Sequence, residues 1–150
     1  MQNSLKIKFK RVKEGFDDIP LPGYTTEGAA GMDVRAAVAE PFTLTQGSFS
    51  MIPTGLAVEI PAGYEIQVRA RSGLAVKYGI GVLNGPGTID EDYRGEINII
   101  LFNFSKNDFV INRGERIAQL VISKVYRVEV ELSDKLSDTV RGEGGFGSTG

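Results

Sequence analysis

Three residue types are missing from this chain: it has no cysteine, no histidine and no tryptophan. Without cysteine there can be no disulfide and no thiol nucleophile. Without histidine there can be no Ser-His triad, and the two absences together remove the usual zinc ligands. Acid–base chemistry near neutral pH must then fall to carboxylates, lysine or tyrosine, and any metal would be a hard ion held by oxygen. Long apolar runs are also lacking, since none approaches the roughly 20 residues needed to span a bilayer. Charge of one sign is scarce as well. The net charge is −2, with no extended block of either sign, so neither a nucleic-acid backbone nor an anionic membrane is an expected partner.

What is present describes an ordinary soluble domain. A chain of 150 residues is long enough to form one domain and to bury roughly 68–70% of its unfolded surface. The amino-terminal stretch alternates as Lys6-Ile7-Lys8-Phe9-Lys10. That suits a half-buried first strand rather than the continuous apolar core of a signal peptide, and points to a cytoplasmic protein. Further short apolar runs follow at Phe42–Leu44, Phe49–Ile52, Leu56–Ile60, Tyr64–Val68, Ile97–Phe104 and Arg116–Val128, after a first one at Leu5–Val12. Nineteen glycines and six prolines punctuate them. Regularly spaced short strands between such turns predict an all-β sandwich or barrel, with no internal repeat and no linker.

The richest stretch is Asn84 to Glu96, which packs two turn signals around the extended piece Thr88-Ile89-Asp90. Apolar runs at Ile80–Leu83 and Ile97–Phe102 flank it and predict a β-hairpin. Its rim would carry amide groups, one carboxylate aimed from a strand end and one aromatic ring. A plain polar surface loop is the competing reading. Upstream, Ser72 precedes Gly73-Leu74-Ala75-Val76-Lys77-Tyr78 and then Gly79, which predicts a short helix capped by Ser72 and stopped by glycine. The amino end of that helix, with Arg71 beside it, would suit an oxyanion; otherwise Ser72 is simply a cap and Arg71 a solvated charge. Asp33 lies among small residues in Ala29–Val34, where it either holds loop amides or serves a site. Gln119 sits in an apolar strand and needs a partner if buried. The ending, Arg141 to Gly150, holds too much glycine to fix a conformation unaided. It superficially resembles a phosphate loop, but the lysine is missing and no helix follows within the sequence.

Five segments in this order resemble the trimeric dUTPases: Ala29–Val34, Ala70–Ala75, Asn84–Glu96, Gly114–Val121 and Arg141–Gly150. The pieces Gly87-Thr88-Ile89-Asp90-Glu91-Asp92-Tyr93-Arg94-Gly95 and Gly144-Gly145-Phe146-Gly147-Ser148-Thr149-Gly150 are the most specific. The resemblance implies a distorted β-barrel or jelly roll with one short helix, assembled as a homotrimer with shared active sites. Residues 1–140 would form the barrel, and 141–150 a flexible lid. It implies hydrolysis of dUTP to dUMP and pyrophosphate with Mg2+, which limits uracil in DNA and supplies dUMP for dTMP synthesis. By motif, Asp90 would activate the attacking water, a role an ionised carboxylate can fill. Arg71, Ser72, Gly73 and Gln119 would contact phosphates, and Asp33 would assist the hydrated magnesium. Asn84, with amides near Gly87 and Asn98, would read uracil, and Tyr93 would pack under the deoxyribose. In the tail, Phe146 would stack on the base while Arg141, Gly147, Ser148 and Thr149 close over the substrate.

Three positions depart from the family's usual pattern: Met32 where an aromatic is common, Ala70 where proline is frequent, and Glu143 where a small residue is usual. The nearest rival reading is a dCTP deaminase of the same superfamily. Those proteins carry Arg-Ser-Ser followed by another arginine, whereas this chain has Arg71-Ser72-Gly73-Leu74. A nucleotide-binding regulator without catalysis is disfavoured because all the expected polar residues are present, Asp90 included, and a purely structural jelly roll would leave the acidic hairpin and the glycine tail without a purpose.

Overall fold

The alternation visible in the sequence becomes eleven short strands and one helix in the computed structural model, which describes residues 5–148. In chain order they are β1 (Lys8–Arg11), β2 (Gly31–Arg35), β3 (Phe42–Leu44), β4 (Phe49–Pro53), β5 (Leu56–Glu59) and β6 (Tyr64–Arg69). Then come α1 (Ser72–Tyr78), β7 (Ile80–Val82), β8 (Gly87–Ile89), β9 (Asn98–Asn103), β10 (Phe109–Ile111) and β11 (Arg116–Lys124). Every strand pairing is antiparallel. Two larger sheets, β2-β11-β6-β8 and β4-β9-β7, are accompanied by the ribbons β1-β5 and β10-β3. The architecture is a jelly roll.

Register explains the core. Met32 pairs with Leu120, Leu120 with Val68, and Ile66 with Ile89, so one face of the four-stranded sheet is a continuous apolar row. In the other sheet Ile52 pairs with Ile99 and Leu101 with Val82. All but the half-buried Val82 are buried, and both rows feed one cluster. Period-two alternation thus puts Asp33, Gln119 and Arg69 together on the opposite face of the first sheet. The buried polar Asn103 is fully paired: its amide donates to the Leu44 and Asn107 carbonyls, and its oxygen accepts from Ser105.

Several expectations change in detail. The helix begins at Ser72 but is not capped by it. Arg71 occupies the N-cap position in extended geometry, and no side chain bonds the first turn. Gly79 does end the helix, at φ 65°. The 80–102 hairpin forms between β7 and β9, yet its connecting stretch is no simple tip: β8 peels off to pair with β6 in the other sheet. β10 was not foreseen. The strand expected from Arg116 to Val128 stops at Lys124, and no strand or helix follows among the described residues.

Candidate functional site

Two hollows gather the residues singled out from the sequence. The first, of about 260 Å³, lies between β8 and the rim of the β4-β9 pair, and is lined by Met51, Asn84, Gly87, Asp90, Tyr93 and Asn98 among others. Its shape depends on two glycines. A Cβ on Gly87 would stand 3.2 Å from the Asn84 amide nitrogen and 3.2 Å from the Val68 Cβ, while one on Gly95 would collide with the Tyr93 hydroxyl. The ring can fold back only over glycine. Tyr93 then donates to the Glu96 carbonyl at 2.8 Å, and the Asn98 amide reaches the same oxygen at 3.2 Å. The Glu96 carboxylate accepts from the Gly55 N–H at 2.8 Å, which ties the whole rim to the neighbouring turn. Asp90 is exposed at the end of β8, and its carboxylate has no hydrogen bond or ion pair among the described residues.

The second hollow, of about 270 Å³, is lined by Thr25, Asp33, Arg71, Ser72, Gly73, Arg116 and Gln119. Its centre is a carboxylate between two guanidiniums: Arg71 Nε lies 3.3 Å from one Asp33 oxygen, and Arg116 Nη1 lies 3.2 Å from the other. Arg71 also donates to the Arg116 carbonyl at 3.1 Å. Two cations against one anion leave the hollow with one excess positive charge, suited to an oxyanion. Gln119 donates to the Ala70 carbonyl at 2.9 Å. Its side chain lies across β2 where Gly31 leaves room, since a Cβ there would strike the amide.

Sequence reasoning missed Arg116, Thr25 and Met51. Arg116 reaches the site through a β-bulge: it pairs with Arg35 while Ala118 pairs with Val34. The extra residue Ile117 puts Arg116 on the face shared by Asp33 and Gln119. Strict alternation from Gln119 would have aimed it the other way, and no sequence signal marks the bulge.

Among the described residues, the tail joins neither hollow of its own chain. Phe146 is fully exposed with φ 50°, and Arg141 and Ser148 engage only neighbouring backbone of the segment. Gly147 is exposed beside them. Thr149 lies outside the described residues. The two hollows are also apart. Gln119 pairs with Arg69 at one end of β6, whereas Ile89 pairs with Ile66, so Asp90 leaves the sheet at the Glu65 end. Strand geometry makes that separation roughly 13 Å along β6 and about 10 Å across it.

A family model for dUTPase matches residues 17–150 of the chain. The chain belongs to the dUTPase family. Among relatives bearing the name deoxyuridine 5'-triphosphate nucleotidohydrolase, that of Chlamydia muridarum is 57% identical over 131 residues, 87% of this chain and 90% of its own. That of Anaplasma marginale is 53% identical, over 97% of this chain and 99% of its own. Among solved structures, the dUTPase of Staphylococcus bacteriophage 80alpha with dUPNHPP superposes with a TM-score of 0.84 at 28% identity, covering 97% of this chain and 98% of that one. The likeness to dUTPases therefore spans the barrel, both hollows and the tail.

Proposed function

We propose that this dUTPase-family chain hydrolyses dUTP to dUMP and pyrophosphate by attack of a water molecule on the α-phosphorus, with Asp90 as the general base. The observation that carries the reading is an unpaired carboxylate at the free end of β8, opening beside a slot walled by Asn84, Gly87 and Asn98 and floored by Tyr93. In the reaction, Asp90 takes a proton from water as the new oxygen–phosphorus bond forms. The bond from the α-phosphorus to the bridging oxygen then breaks, and pyrophosphate leaves. The slot reads uracil through the Asn84 and Asn98 amides and nearby backbone. Cytosine reverses that donor and acceptor pattern, and thymine lacks room for its methyl. Sites that leave buried polar groups unpaired with the wrong ligand discriminate by roughly 10⁴–10⁵-fold. Tyr93 under the sugar disfavours a ribose 2′-hydroxyl.

Arg71, Ser72, Gly73 and Gln119 hold the phosphates. These residues stand too far from Asp90 in one chain to meet it on a single substrate, which supports a homotrimer whose sites are shared. The tail supports the same assembly: Tyr126, Val128, Val130 and Leu132 are exposed at alternate positions of a segment outside any strand or helix, and none of them joins the apolar core of the described residues. Arg141, Phe146, Gly147, Ser148 and Thr149 close over a bound nucleotide as a lid that excludes water. Residues 1–140 act as the barrel and 141–150 as that lid.

Magnesium fits only as a guest of the substrate. Among the described residues no three acidic side chains cluster as a metal site, and Asp33 is already shared by two guanidiniums. Asp33 retains acceptor capacity for a water molecule, so it would hold the hydrated ion from outside. When bound, the ion neutralises phosphate charge and fixes the path of the triphosphate. No helix among the described residues is long and apolar enough to cross a membrane.

The test is pyrophosphate release across dUTP, dTTP, dCTP and UTP with magnesium. Only dUTP should turn over, and ammonia release from dCTP would instead favour a deaminase. Asp90→Asn should still bind a non-hydrolysable dUTP analogue while turnover falls roughly 10²–10⁴-fold, the usual worth of a general base. Near-normal turnover would remove Asp90 from the reaction.

A further inference from the structure

The Asp90 carboxylate makes no hydrogen bond or ion pair among the described residues, so its aim is set by the backbone that carries it. That backbone is held next door. The half-buried Glu91 turns away from the uracil slot, and its carboxylate accepts the Gly63 N–H at 2.5 Å. Gly63 sits at φ +83° in the turn between β5 and β6, a conformation that side chains rarely adopt. The same residue accepts the Val125 N–H at 2.9 Å on its carbonyl, at the point where the chain leaves β11. Gly63 is therefore pinned from both sides and makes a rigid post. On the loop side, Arg94 donates to the Glu91 carbonyl at 2.6 Å and the Tyr93 N–H donates to the Asp90 carbonyl at 3.1 Å. We propose that Glu91 is a positioning residue for hydrolysis: by gripping the Gly63 amide it holds the Asp90 carboxylate at the attacking water.

This inference rests on Asp90 being the general base. Misplacing a reacting group by about 1 Å can cost on the order of 10²-fold in rate. Glu91→Ala should therefore lower kcat roughly 10- to 100-fold, with KM and analogue affinity hardly moved, because the slot and the phosphate contacts are untouched. Glu91→Gln keeps an acceptor oxygen at the same reach and should recover most of kcat, and Glu91→Asp, one methylene shorter, should not. If Glu91→Ala fails to fold, the Asp and Gln pair supplies the same comparison. The decisive measurement is the double variant with Asp90→Asn. If Glu91 works through Asp90, adding Glu91→Ala to Asp90→Asn should cost no further turnover. Full additivity of the two losses, an unchanged kcat in Glu91→Ala, or a raised KM at unchanged kcat would each overturn the proposal. If Asp90→Asn alone retains turnover, the assignment of the base fails instead, and the two failures are told apart.

Discussion

At the scale of single residues, the hollow around Asp33 is a problem of charge. Asp33 is mostly shielded, and its two partners Arg71 and Arg116 hold each other's geometry as well as the carboxylate. Removing one guanidinium takes away the excess positive charge and frees Asp33 to repel a triphosphate. We therefore expect Arg116→Ala to raise KM for dUTP roughly tenfold or more, the scale of one charge-assisted contact. Titration calorimetry with a dUTP analogue measures the same loss directly. Arg116→Lys restores charge but not the planar fork, and should recover only part of it. Legibility at this scale was uneven. Asp33, Arg71, Ser72, Gly73 and Gln119 come together as their motifs suggested, and so do Asn84, Gly87, Asp90, Tyr93 and Asn98. Arg116 was invisible because its direction is decided by a bulge, and Met51 because the first hollow borrows a wall from a strand remote in sequence.

At the scale of elements, punctuation was easier to read than pairing. Gly79 stops α1 because only glycine is comfortable at its positive φ, and the space is full as well: a Cβ would lie 3.1 Å from the Ser105 nitrogen and 3.2 Å from the Ser105 Cβ. Gly79→Ala should accordingly destabilise the fold by about 1–3 kcal/mol, read as a lowered urea midpoint with an unchanged slope. The start of the same helix was harder to place. Ser72 is a good cap by type, but Arg71 is still extended from the run of β6, so Ser72 falls inside the first turn. Likewise the β7–β9 hairpin could be inferred from flanking apolar runs, whereas the departure of β8 to β6 could not. Local periodicity says that Gly87–Ile89 is extended and says nothing about which sheet it joins.

At the scale of the whole molecule, the separation of Asp90 from Arg71 and Gln119 along β6 makes a prediction about assembly. Asp90→Asn and Arg71→Ala should each be inactive alone. Mixed in equal amounts under conditions that exchange subunits, they should regain activity at about a quarter of the wild-type sites, since an intact site then needs its base from one variant and its arginine from the other. No recovery despite demonstrated exchange would mean that each chain carries a complete site. Composition announced the fold class and motif order announced the family. The proposed assembly rests on resemblance, because a chain's own periodicity records what it buries against itself.

One extra residue in β11 has a further consequence. The pairing register is as constrained as the composition, since drawing Ile117 into the ladder opposite Arg35 would restore simple alternation and swing the Arg116 guanidinium away from Asp33 toward the apolar interior. The hollow would pass from a surplus of one positive charge to neutrality without any substitution of a polar residue. A one-residue slip in pairing there is thus a charge mutation in disguise.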